Sequence, residues 1–148
     1  MLESERIESP EEELKRADHL VFVSLKYTRT CDVMKNAIKR MIAAFELAFD
    51  EYLEEEKLNK TLEELPTTAK EKMTLMKDLL GSQGRKYFIL YNLLKKIDKA
   101  EYVALEEFRK NVTLRVDIGK PLDIKMTHLN DYLKTTREFV AFLRQKQK

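Results

Sequence analysis

The chain has 148 residues, with Gly 3, Pro 3, Cys 1, 36% charged residues and a formal net charge of +2. That length supports one core burying roughly 70% of the unfolded surface, and a lone thiol excludes an intramolecular disulfide. The near-balanced charge excludes attachment to nucleic acid by a global field, and scarce Gly and Pro point to long amphipathic helices.

The first eight residues read as loose, as do residues 145–148. Ser9 is placed to cap a helix with Pro10 at its first position and Glu11 and Glu12 at the positive end of its dipole. Leu14, Ala17, Val21 and Leu25 form its apolar stripe. Continuing that stripe meets the polar Thr28, Asp32 and Lys35, while a new one starts at Met34 and runs through Ala37, Ile38, Met41, Phe45, Ala48, Phe49 and Tyr52. A break between residues 26 and 32 is expected, with Thr30 or Asp32 capping the second helix. Pro66 closes the polar stretch that follows. Thr67 or Thr68 opens a short third helix carrying Ala69, Met73, Met76 and Leu80, which stops at Gly81-Ser82-Gln83-Gly84.

A fourth helix is expected from Arg85 to near Asn111, with Tyr87, Tyr91, Leu94, Ile97, Leu105 and Phe108 on its stripe. The period then drops to two. Residues 112–118 and 122–126 alternate around Gly119, which predicts an antiparallel hairpin that must pack on the bundle or on another chain. A last helix begins at Thr127 or His128 and carries Leu129, Tyr132, Leu133, Phe139, Val140 and Leu143. The expected fold is one mainly α domain over residues 1–148, a four- to five-helix up-and-down bundle with one small hairpin near residues 112–126.

Few residues carry the pattern of a known chemistry. Asp18 and His19 are adjacent on a helix, so they point apart and make no dyad. Neither His19 nor His128 has a Cys, His or Glu at metal-ligand spacing, so no metal and no cofactor are expected. Cys31 lies near a helix start, which lowers a thiol pKa, but a packing role is the simpler expectation. Gly81, Gly84 and Lys86 lack the Lys-Ser/Thr pair of a phosphate loop. The acidic N-terminal segment does not read as a signal peptide, no stretch is apolar for long enough to cross a bilayer, and a reducing cytoplasm is the expected location.

The opening Ala-x-x-Leu of residues 17–20, the small and aromatic residues Ala37, Ala43, Ala44, Phe45 and Ala48, and the short and long helices after them resemble the HEPN superfamily over residues 17–111. The resemblance implies a compact dimeric bundle. Many such proteins are metal-independent ribonucleases, or act beside a nucleotidyltransferase in toxin–antitoxin pairs, through an Arg followed closely by a His. Arg109 stands at the Arg position. No His follows before His128, and the chemistry needs an imidazole as general acid or base. The leading expectation is therefore a non-catalytic homodimeric module that binds RNA or a partner protein such as a nucleotidyltransferase. The alternatives are a ribonuclease assembled from Arg109 with His128 or His19, and a plain scaffold. Arg109, Lys110, Arg115, Lys120 and Lys125 are the expected RNA-binding residues.

Overall fold

The computed structural model describes residues 8–59 and 63–147; of the loose ends expected at residues 1–8 and 145–148, residues 1–7 and 148 lie outside them. Helix α1 (Pro10–His19) starts as its sequence dictates, with Ser9 Oγ accepting the Glu12 amide at 3.1 Å. A π turn, Leu20–Ser24, joins it to α2 (Leu25–Thr28). Ala17, Val21 and Leu25 are all buried. Their spacing of four residues per turn would put an α-helix about 80° out of line over two turns. The wider π turn, with its i→i+5 bonds, keeps the three on one seam.

The expected break falls at Arg29, whose left-handed backbone (φ 41°) ends α2. Thr30 then caps α3 (Cys31–Leu58), its Oγ1 accepting the Val33 amide. Helix α3 is the spine, packing against α1, α4 (Ala69–Leu80), α5 (Arg85–Lys99) and α6 (Met126–Lys146). Phe45 and Phe49 project from it into an aromatic core with Phe88, Tyr91 and Phe139; Phe45 stacks on Phe139 at 4.9 Å between centroids. Thr68 caps α4 by accepting the Glu71 amide. A 3₁₀ turn, Gly81–Gly84, swings the chain into α5. Helix α6 runs on through Gln145 and Lys146, which the sequence reads as part of a loose tail.

The expected hairpin is present. Strand β2 (Thr113–Asp117) pairs antiparallel with β3 (Pro121–Ile124), with Gly119 in the turn at φ 101°. The fourth helix, however, stops at Lys99 and not near Asn111. Residues Tyr102–Leu105 form a third strand, here β1, on the outer edge of β2, so the sheet order is β1-β2-β3. The expectation failed because Leu105 and Phe108 fall by coincidence on the helical spacing of Leu94 and Ile97. The stripe is interrupted at Glu101, which is exposed. Lys35 Nζ also caps the end of α5, donating to the Ile97 and Asp98 carbonyls at 3.3 and 2.7 Å. No helix among the described residues is long and apolar enough to cross a membrane.

Candidate interaction surface

The α2–α3 corner and the loop between β1 and β2 are locked together. The Phe108 amide donates to the Arg29 carbonyl at 2.8 Å. Glu107 Oε2 accepts the Cys31 amide at 2.9 Å, which places a carboxylate at the positive end of the α3 dipole. Tyr102 donates from its hydroxyl to Asp32 Oδ1 at 2.9 Å, and that bond holds the Tyr102 phenol above its ordinary pKa. Cys31 is buried with its thiol directed at the Thr113 carbonyl, 3.3 Å away. Burial, then the Glu107 charge, pushes the thiol up to about 11. A helix start ordinarily lowers a thiol pKa, but here the α3 end is already occupied by Glu107, so Cys31 is a packing residue.

Among the described residues three non-glycine residues have positive φ, and all belong to this corner: Arg29 (41°), Glu106 (54°) and Phe108 (67°). Left-handed backbone costs roughly 1–2 kcal/mol per ordinary residue. Such strain persists where surrounding structure enforces it, and it gathers at functional segments. Large apolar side chains stand in solvent at this corner: Tyr27 is 88% exposed, Phe108 74% and Val103 57%. Strand β1 is a sheet edge, and half of its backbone N–H and C=O groups face away from β2.

The chain matches no family model, and no curated protein or solved structure matches it significantly. The surface must therefore be read from its own chemistry.

The five residues expected to bind RNA are all exposed, but they do not form one free basic face. Arg115 is committed to Asp123 on the neighbouring strand, through two bonds of 2.7 and 2.9 Å. Arg109 pairs with Glu106 at 3.3 Å. Lys110, Lys120 and Lys125 form no ion pair among the described residues, yet β2 separates the 109–110 loop from the Lys120 turn by about 17 Å. Neither imidazole hydrogen-bonds to Arg109. His128 Nδ1 accepts the Lys125 amide at 2.9 Å at the start of α6, and His19 Nδ1 lies 3.4 Å from Ser24 Oγ. Among the described residues no cluster of His, Cys, Asp and Glu is arranged to hold a metal ion. The sequence marks Tyr102, with Tyr27 and Arg29, only as an aromatic and basic mixture able to stack on bases, and Glu107 only as a helix carboxylate; their bonds to Asp32 and to the Cys31 amide, 70 and 76 positions away, are not legible in it, and Val103 was missed.

Proposed function

We propose that the chain is a non-catalytic, HEPN-like interaction module of the cytoplasm that pairs with a second copy through the β1 edge, Tyr27 and Phe108. The observation that carries this reading is the exposure of Tyr27, Val103 and Phe108 on elements joined by the Arg29–Phe108 bond. Exposed apolar groups of this size beside an unpaired strand edge favour a protein partner. A twofold pairing of β1 with its copy satisfies the outward backbone groups of both chains. The ribonuclease alternative lacks support in the geometry, because Arg109 is closed on Glu106 and both imidazoles are engaged elsewhere. The partner-binding role implied by the resemblance, toward RNA or a nucleotidyltransferase-type protein, falls to the assembled dimer.

Light scattering at micromolar protein tests the pairing. A dimer mass is expected for the native chain and a monomer mass for Val103→Lys and Phe108→Ser. A monomeric native chain, or unchanged dimers in both variants, overturns it.

A further inference from the structure

A second locus lies between α1 and α3, and it shares no residue with the surface above. Lys15, Arg16, His19, Leu20 and Arg40 line an open cavity of about 360 Å³. Apart from Leu20 the lining is entirely basic. Beneath it lies Glu13, whose side chain is only 4% exposed. Arg16 Nη1 donates to Glu13 Oε1 at 2.6 Å, and Arg40 Nη1 donates to Oε1 and Oε2 at 3.5 and 3.3 Å.

The geometry of these bonds decides what the cavity can do. An arginine paired bidentately with a carboxylate spends two parallel N–H groups on it. Arg144 does so with Glu11, through Nε and Nη2. Arg16 and Arg40 instead meet Glu13 through Nη1 alone, and one carboxylate serves both. Among the described residues, Nε and Nη2 of each guanidinium have no hydrogen-bond partner, so two planar forks remain with unspent donors. The buried Glu13 fixes where they stand. Lys15 adds a third charge, offset in part by Glu12 at 3.5 Å. The π turn starts at Leu20, directly after His19, and its Ser24 touches the imidazole. π turns within helices recur at functional sites.

We infer that this cavity binds the phosphate group of a small phosphorylated ligand, with Arg16 and Arg40 as its forks, Lys15 as an added charge and Glu13 as the positioning residue. Planar guanidinium forks match phosphate oxygens two at a time. The volume lies at the small end of ligand pockets, which suits a ligand of mononucleotide size. Leu20 supplies an apolar wall for the part beyond the phosphate.

The experiment is an NMR titration of the full chain that follows the arginine Nε–H signals. Its arms are inorganic phosphate, adenosine 5′-monophosphate and adenosine. Saturable shifts of the Arg16 and Arg40 signals are expected with the first two and none with adenosine. Tighter binding of the monophosphate than of phosphate assigns a ligand body beyond the phosphate; equal binding assigns free phosphate. Arg40→Lys keeps the charge and loses the fork, so affinity should fall about tenfold. Glu13→Gln raises the net charge yet releases the two arginines, so affinity should fall as well. If Glu13→Gln binds phosphate more tightly, or Arg40→Lys binds it equally, the cavity is a diffuse positive patch and the inference fails. Absence of saturable shifts at 10 mM of either phosphate probe, a roughly millimolar-affinity limit, also overturns it.

Discussion

Phe108 donates its backbone N–H to the carbonyl of Arg29 across 2.8 Å, and both residues hold left-handed backbone. One bond therefore joins two strained points 79 positions apart in the chain. If the strain serves the exposed surface, relieving it should increase stability. Glu106→Gly and Phe108→Gly are each expected to stabilise the fold by about 1 kcal/mol, or roughly 3 °C in Tm. Thermal melts at a concentration where the chain is monomeric check this. Phe108→Gly should at the same time lose self-association. A fall in Tm for both variants would show that these side chains, and not their backbone angles, dominate.

Cys31 should respond to Glu107. The thiol is held up to about 11 first by burial and then by the Glu107 charge. Glu107→Gln should lower that value but leave it above the ordinary thiol range, because burial remains. The Cys31 ¹³Cβ chemical shift followed against pH reports it directly. The same change removes a charged acceptor from the Cys31 amide and should cost about 1 kcal/mol. An unchanged titration curve would separate the two groups electrostatically.

Asp98 provides a pH-dependent contribution. Burial raises its pKa, but Lys39 at 3.0 Å and Lys35 at 3.6 Å outweigh that and hold the carboxyl below its usual range. The folded value is thus below the unfolded one of about 3.9. The stabilisation is fully present above the unfolded value and disappears as pH falls through the folded one. Native protein should exceed Asp98→Asn in urea-melt stability at neutral pH, and the gap should close in strong acid. A gap that persists below both values would point to shape and not charge.

Gly84 is required by contact. A Cβ there would lie 2.8 Å from the Phe88 ring and 3.0 Å from Leu80 Cβ. Gly84→Ala should therefore destabilise by about 1–3 kcal/mol, the usual range for overpacking. Gly81 has open space around it but a φ of 61°, so Gly81→Ala should also destabilise, through backbone strain. Chemical denaturation of both variants separates crowding from strain when combined with Phe88→Leu, which should rescue only Gly84→Ala.

Local signals made much of the fold legible. Ser9, Thr30 and Thr68 cap helices because short hydroxyl side chains satisfy amides within the same turn. The alternation around Gly119 sets the hairpin because its pairing is also local. The register centred on Gly119 even places Arg115 opposite Asp123, so their ion pair was readable from the sequence. Strand β1 was not. Tyr102–Leu105 is too short to show a period, and its conformation is decided by β2, eight residues further along. The same reason hid the surface. Exposure of Phe108 follows from backbone angles at Glu106 and Phe108 that no side-chain pattern encodes, and the Glu13 anchor appears only when α1 meets α3.

The π turn at Leu20–Ser24 makes the length of this stretch a quantity in its own right. Removing one residue from it would restore the ordinary helical repeat and leave Ala17 and Leu25 seven positions apart, only about 20° from alignment. Leu25 would keep its place in the core, and Tyr27 would hardly change direction. The turn is thus where the helix absorbs one extra residue in its backbone, so a single deletion there should be tolerated, whereas a plain α-helix over the full length of this stretch would swing Leu25 about 80° off the seam.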